Sequence, residues 1–392
     1  MLYPSISADL PAYTIHTLLL PSPIPNEPPT PIATLLPPSL SSSLSNPTTL
    51  PRQSTPYPSN PSYTILTTPT KGFGMFATRF IKAGELILNE HPVLIVPECP
   101  LPHDTSAWDD LGLSLPEKEK MEMESMANCR SKEECPSLVE GIVRTNALLL
   151  NLIPPSRSKR AITEEPTQHQ QHFGGVFLKI NRCNHSCGPN ASHKWDLTNL
   201  SSKLYALRPI QPNEEITIFY TDITQPRDTR QSELNRNHRF LCSCPHCSLD
   251  DIKESDNTRS ELQTWLSTHP SYLKWSTDLC RPDSTVISSH LQALSLISQE
   301  NLHFLQHIFI EELVLSYAIL GNHHEFEYWA KEFIDKCKVE DEERAKEFEG
   351  WLEDRRRCRK WGWREKQRNA GRKRAASPIY EYAILMDQQI EA

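Results

Sequence analysis

Asn184-His185-Ser186-Cys187-Gly188-Pro189-Asn190 packs amide, imidazole, hydroxyl and thiol groups into a turn-rich stretch between two strand-like runs, a setting that builds sites. The related chemistry nearest to it is Cys242-Ser243-Cys244-Pro245-His246-Cys247, which supplies three thiols at tight spacing. Tetrahedral zinc takes four thiolates, and Cys187 is the evident fourth, so Cys187, Cys242, Cys244 and Cys247 form the expected metal set. His246 reads as a bystander among them, and Cys183 as a small buried side chain. Between these stretches, Glu215-Ile216-Thr217-Ile218-Phe219-Tyr220 alternates with period two, placing Ile216, Ile218 and Tyr220 on one inward strand face. Upstream, Lys71-Gly72-Phe73-Gly74 sets two glycines around an aromatic residue, a turn that lets backbone approach a ligand closely.

The 392 residues, 38% of them hydrophobic, suffice for one substantial core and a smaller satellite domain. No apolar run approaches the roughly 18 residues of a membrane span, and Leu18-Leu19-Leu20 is too short and lacks the preceding charge of a secretory signal. A membrane partner is therefore not expected. Eleven cysteines in such a chain point to metal ligands and buried thiols in a reducing compartment rather than to disulfides. The formal charge of -8 argues against direct nucleic-acid binding, although positive charge gathers from Arg355 through Arg374 around Trp361 and Trp363.

In chain order, residues 1–60 are rich in proline, serine and threonine and read as a disordered tail. Short strands start near Ser62. A polar helical insert is expected over about 97–173, with helices at Glu117 to Met126 and Leu138 to Leu150, the second amphipathic through Leu138, Ile142 and Leu149. Val176 to Ile180 and Lys203 to Leu207 read as strands. Beyond Ser248 the pattern turns helical: Leu302, Leu305, Phe309 and Leu313 form one stripe, Gly321 ends it, and Phe326, Trp329, Ala330 and Phe333 form a second, together one antiparallel hairpin within 249–340. His323-His324-Glu325 reads as an exposed polar turn. A charged helix and an exposed basic tail fill 341–392, and the tail is a candidate nuclear localisation signal, a nucleic-acid contact or a solvated helix continuing from Glu342.

Taken in order, KGFGMFATRFIKAGE, NHSCGPN, EEITIFY and CSCPHC resemble the SET-domain protein lysine methyltransferases, above all the SET-and-MYND branch and related fungal SET proteins. The resemblance covers about Ser62 to Ser248 and implies an α+β fold. Its parts are a SET-type β-fold of short strands over 61–228, interrupted by the helical insert, a zinc-bound post-SET segment over 229–248 and a small C-terminal helical region. Glu215 to Tyr220 resembles the end of the family's GEExxxxY motif, which makes Tyr220 the implied catalytic residue. S-adenosylmethionine is the implied cofactor, held by Gly72, Phe73, Gly74, Asn146, Asn184, His185, Tyr220 and Phe240. The place of Asn146 rests on the likeness of Arg144-Thr145-Asn146-Ala147 to a cofactor-binding helix of the SET-and-MYND branch. One departure is expected: Cys99, Cys129 and Cys135 do not have a spacing that closes the MYND zinc module.

The implied reaction moves a methyl group from S-adenosylmethionine to a lysine of a protein, histone or non-histone, by a monomer in the nucleus, the cytoplasm or both. Two other classes fit parts of the sequence. An inactive SET scaffold would bind partners through its helices and basic tail, against which the intact Asn184, His185 and Tyr220 speak. A zinc-dependent nucleic-acid-binding protein would need more thiols than the post-SET segment offers.

Overall fold

Residues 13–21, 29–46, 61–98, 106–153, 172–269 and 272–375 are described by a computed structural model, and they fall into two units. The first unit takes residues up to Ser186, then Asn190–Thr221 and Gln231–Cys242. The second takes Cys187–Pro189, Asp222–Arg230 and everything from Ser243.

The first unit carries twelve short strands among its described residues: β1 (Thr14–Leu20), β2 (Thr30–Leu36), β3 (Tyr63–Thr68), β4 (Gly72–Ala77), β5 (Leu86–Glu90), β6 (Leu94–Pro97), β7 (Leu148–Leu150), β8 (Phe173–Val176), β9 (Asn184–His185), β10 (Ala191–Asp196), β11 (Ser201–Ala206) and β12 (Glu215–Ile218). They form three sheets, ordered β1-β2-β6-β8-β7, β10-β11-β5 and β3-β4-β12-β9. Helices α1 (Pro38–Ser45), α2 (Ser106–Leu113), α3 (Glu117–Glu124) and α4 (Leu138–Asn146) accompany them.

The disordered tail expected over residues 1–60 does not hold for the described residues 13–21 and 29–46; the remainder of 1–60 lies outside the described residues. Residues 14–20 and 30–36 pair in full antiparallel register, and β2 runs parallel to β6 through Ala33 and Thr34. Proline density hid a sound strand pattern. Leu18 and Leu20 alternate inward on the edge strand, while Ile32 to Leu36 are all buried because both faces of β2 are covered, Ile32 and Leu36 in one apolar cluster and Ala33 and Leu35 in another. Pro31 lies outside the stretch of β2 that pairs with β6, so its missing N–H costs the central ladder nothing.

Two further expectations shift. The helix read over Leu138 to Leu150 stops at Asn146, because Ala147 turns to extended backbone (ψ 130°) and Leu148 to Leu150 pair with β8 instead. Val139, Ile142 and Val143 fill the core under α4, whereas Leu149 is 60% exposed. The strand read over Val176 to Ile180 lies earlier, at Phe173–Val176, and Ile180–Arg182 is a turn of 3₁₀-helix. Buried Glu90 makes that turn, its carboxylate accepting the Lys179 and Ile180 N–H groups at 2.8 Å each.

Helix α5 (Arg227–His238) gives its first residues to the second unit and the rest to the first. The second unit continues as α6 (Lys253–Thr268), α7 (Tyr272–Thr277), α8 (Ser284–Glu300), α9 (Gln306–Leu320), α10 (His323–Cys337), α11 (Glu342–Glu353) and α12 (Trp363–Ala375). The expected hairpin is α9 against α10, with Leu313, Phe326, Ala330 and Phe333 in its core. It is part of a larger bundle, since α8 packs on α9 and α11 on α10. His323 and His324 stand exposed at the start of α10. The basic end departs from the expectation of uniform exposure. Arg364 is fully buried, its guanidinium 4.2 Å from the centre of the Trp275 ring and paired with Asp283 at 3.2 Å.

Candidate active site

Tyr220 and the residues around it are set by β9 and β12. The two strands pair in parallel, Thr217 beside Asn184 and Ile218 beside His185, and Ser186 N–H donates to the Ile218 carbonyl at 2.9 Å. Ile216 and Ile218 point into the core, and Tyr220 packs against it. Asn190, 1% exposed, stands where a further strand would run: its side-chain NH2 donates to the Glu215 carbonyl at 2.8 Å and its Oδ1 accepts from Thr217 N–H at 2.8 Å. The last asparagine of the heptapeptide thus finishes the ladder with an amide side chain.

The Tyr220 hydroxyl donates to the Cys183 carbonyl at 2.6 Å, and the Tyr220 N–H donates to His185 Nδ1 at 3.0 Å. Accepting there leaves the proton of a neutral His185 on Nε2. Four rings close a circuit: His185 to Tyr220 at 5.5 Å between centres, Tyr220 to His238 at 4.9 Å, His238 to Phe240 at 6.3 Å and Phe240 to His185 at 6.2 Å. Burial pushes the Tyr220 phenol above its ordinary range, with lesser contributions from Cys183 and Glu215. Burial, then Arg130, pushes His238 below its ordinary value. Both groups therefore stay uncharged at neutral pH.

Gly72, Phe73 and Gly74 lie on β4 beside β12. Asn184 donates its side-chain NH2 to the Phe73 carbonyl at 3.1 Å and to Glu215 Oε1 at 2.8 Å, while Lys71 pairs with the other oxygen of Glu215 at 2.8 Å. A side chain at Gly74 would press on Glu215 Oε1 at 3.0 Å and Asn184 Nδ2 at 3.1 Å, which would have to give by a few tenths of an ångström. Gly72 sits at φ 72° with open space where a Cβ would be. Phe73 is half exposed, and the Arg182 guanidinium lies 5.2 Å from its ring centre. Arg182 in turn donates to the Glu122 and Ser125 carbonyls at the end of α3, tying the insert to the glycine turn. Asn146 uses its side-chain NH2 on the Ala127 and Ile142 carbonyls, both at 2.7 Å, and Asn181 donates to the Asn146 carbonyl at 2.7 Å.

The four expected metal ligands come together: the sulfurs of Cys187, Cys242, Cys244 and Cys247 all lie within 4.8 Å of one another, and those of Cys187 and Cys247 are 3.5 Å apart. Zinc–sulfur bonds of about 2.3 Å give a tetrahedron with edges of about 3.8 Å, which this set fits. None of the ten described cysteines is in a disulfide. Gln231 fixes Cys242 by donating to its carbonyl and accepting from its N–H, both at 2.7 Å. Arg230, fully buried, donates its Nε–H to Cys187 Sγ at 3.3 Å. Burial alone would lower the Arg230 guanidinium, but Cys187 and Cys247 beside it hold it above its ordinary value. His246 turns away from the thiols toward Glu300 (3.6 Å) and Asn301 (3.2 Å).

Sequence reasoning missed Glu90, Asn181, Arg182, Arg230 and His238, and it quoted Asn190 only as the end of the heptapeptide, with no role. The asparagines and arginines carry no spacing signal of their own, because each serves the backbone or a neighbouring side chain. His238 alone had one, standing two residues before Phe240 in the segment that leads to the cysteines.

The family description "SET domain" matches residues 72–221. Histone-lysine N-methyltransferase set5 of Schizosaccharomyces pombe is 27% identical over 203 residues, 51% of this chain and 56% of that protein. Protein-lysine N-trimethyltransferase SMYD5 of Homo sapiens is 40% identical over 90 residues, 22% of this chain and 21% of its own. Histone-lysine N-methyltransferase SMYD3 of Homo sapiens is 33% identical over 100 residues, 26% of this chain and 23% of its own. The matched part spans about half the length of the first relative and about a fifth to a quarter of the other two. Residues 72–221 are a SET domain, in an α+β chain that resembles fungal Set5 and the SET-and-MYND proteins.

Proposed function

We propose that this protein is an S-adenosylmethionine-dependent methyltransferase acting on a lysine side chain of a protein. The observation that carries the reading is Tyr220: a partly buried, uncharged phenol just beyond β12, its hydroxyl turned to the Cys183 carbonyl and its ring beside those of His185 and His238. The relatives named as histone-lysine and protein-lysine methyltransferases support the reaction class.

The cofactor's fit rests on the glycine turn. The open space at Gly72 and the side-chain-free backbone at Gly74 suit the methionine end, with Phe73 and Asn184 beside it. His185 and Phe240 would flank the adenine, and Asn146 would approach through its remaining amide oxygen. Bound S-adenosylmethionine supplies an electrophilic methyl group on a sulfonium. The chain's own residues then do the rest. A lysine amine must arrive uncharged, from a pKa of roughly 10.4 in water, and a site whose phenol and imidazole are kept neutral by burial disfavours the ammonium form in the same way. Tyr220 orients the amine and directs its lone pair, with the Cys183 carbonyl, rather than acting as a base, because its own proton is held tightly.

The four thiols suit Zn2+, which would be structural, since all four positions are filled by protein. Cys242 stands two residues after Phe240, so the metal would fix the segment that brings Phe240 to the cofactor. We assign the protein to the nucleus, the cytoplasm or both. The described cysteines form no disulfide, which suits a reducing compartment, and no described helix is long and apolar enough to cross a membrane.

The test is transfer of labelled methyl from S-adenosylmethionine by the full chain to proteins of a cell extract, followed by identification of methyl-lysine. Tight binding of S-adenosylmethionine with no label on any protein would replace this reading with that of an inactive scaffold.

A further inference from the structure

Three side chains of the helical unit that methyl transfer does not use meet between helices. His269 caps α6, His290 lies within α8 and Glu312 within α9, and one ligand atom of each lies within 4.8 Å of the other two. Their proton positions can be read from their partners. His269 Nδ1 is 2.9 Å from the Trp265 carbonyl and His290 Nδ1 is 2.8 Å from the Val286 carbonyl. A carbonyl only accepts, so both Nδ1 atoms carry a proton, and the Nε2 of each singly protonated ring is a lone pair. His290 Nε2 faces Glu312 Oε2 at 2.8 Å. Two acceptors at that distance need either a proton between them, carried by His290 or by Glu312, or a cation.

The surroundings favour the cation. His290 is fully buried, with the Phe309 ring centre at 5.4 Å and the His269 ring centre at 5.5 Å in edge contact. A second proton would make a desolvated imidazolium that uses Glu312 alone and leaves the His269 lone pair idle. A divalent ion would use all three donors at once. We propose that His269, His290 and Glu312 bind a divalent first-row transition metal ion, with Zn2+ as the reference ion.

Anchoring the far nitrogen of each imidazole on a backbone carbonyl is the arrangement that orients metal-binding histidines. Two nitrogens and one carboxylate oxygen leave a fourth, open position of the kind zinc fills with water. Bonds of about 2.0–2.2 Å separate tetrahedral donors by about 3.4 Å, so Glu312 must draw back from His290 by about half an ångström. The Tyr272 N–H, which donates to the same Glu312 oxygen at 3.2 Å, keeps the carboxylate in place during that move. The ion would join α6, α8 and α9 by bonds that do not depend on side-chain packing.

Cobalt distinguishes this site from the thiols. Co2+ on thiolates gives strong sulfur-to-metal charge-transfer absorption, whereas on two imidazoles and a carboxylate it gives only weak d–d bands. Titrating the full chain with Co2+ after chelator stripping should reveal one equivalent that adds d–d intensity without charge transfer, whatever the thiols bind. In Glu312→Gln, whose amide oxygen can still accept from Tyr272, and in His269→Gln, that equivalent should weaken by about a hundredfold or more, with circular dichroism unchanged. A wild-type chain that takes up Co2+ only with charge transfer overturns the proposal, as does a second equivalent undiminished in both folded variants.

Discussion

Burial keeps Tyr220, Cys183 and His238 uncharged, whereas around Cys187 the protein gathers charge. Burial raises the Tyr220 phenol and the Cys183 thiol and lowers His238, so each stays neutral. At the thiols, by contrast, Arg230 and Arg259 are fully buried and Glu300 nearly so, with Arg259 pairing to Glu300 at 3.0 Å and donating to the Cys187 carbonyl at 3.1 Å. The difference follows chemistry. A lysine amine must lose its proton before it can accept a methyl group, and a neutral, dry site favours that. Four thiolates around a dication leave two negative charges over, and Arg230 beside Cys187 offsets part of them while Arg259 is paired with Glu300. A single heptapeptide serves both settings, Asn184 and His185 in one and Cys187 in the other.

The largest expected effect breaks the charged region. Cys187→Ser removes one thiolate of four and the partner of Arg230, so zinc content by plasma mass spectrometry and S-adenosylmethionine affinity by calorimetry should fall together. Full zinc with normal cofactor binding would separate the two regions and dismiss the four-cysteine site. Next is Arg259→Leu, which strands Glu300 in the interior and should cost about 3–5 kcal/mol in denaturant unfolding, as removal of one partner of a buried pair does. A loss under about 1 kcal/mol would mean that Glu300 takes up a proton and that the region does not depend on charge. The neutral region is probed by Tyr220→Phe. The ring remains on Ile216 and Ile218 while the hydroxyl goes, so turnover should drop roughly a hundredfold with cofactor affinity nearly unchanged. Equal loss of both would make the hydroxyl a structural group.

The last test concerns Glu90, a buried carboxyl held by the N–H groups of Lys179 and Ile180. Burial raises it from an ordinary 4.5 to about 7, against the N–H groups of Ile180 and Lys179, which lower it. With a raised folded value, its contribution to stability is fully present below 4.5 and is lost as pH rises through about 7. Glu90→Gln cannot titrate, so the difference in unfolding free energy between variant and wild type should change between about pH 4.5 and 7 in favour of the variant and be flat above. A pH-independent difference would show that Glu90 titrates alike in the folded and unfolded chain.

What the sequence made legible was the chemistry that repeats a pattern. Alternation fixed Ile216, Ile218 and Tyr220, and close thiol spacing brought the four cysteines together. The missed features lack such patterns for identifiable reasons. Proline density in residues 1–60 outweighed the two leucine-rich strands. Helix α4 ends at Asn146 because β8 offers Leu148 to Leu150 a partner, and a helical stripe carries no sign of a strand 25 residues away in sequence. Arg364 looked like one charge in a basic run, yet Trp275 and Asp283 provide it with a buried socket. The size of the helical bundle was underread for the same reason: α6 and α8 hold their apolar residues at wide spacing and bury polar side chains such as Arg259 and His290.

The place of β2 in its sheet also has a kinetic meaning. Its parallel neighbour β6 begins at Leu94, and the β8 strand that flanks β6 arrives only at Phe173. During synthesis the β1–β2 ribbon therefore leaves the ribosome long before its docking edge exists, with Leu18, Leu20, Ile32 and Leu35 still without a core. Such non-local pairing slows folding and exposes a sticky ribbon meanwhile, so the nascent chain should be a chaperone client until the insert has emerged.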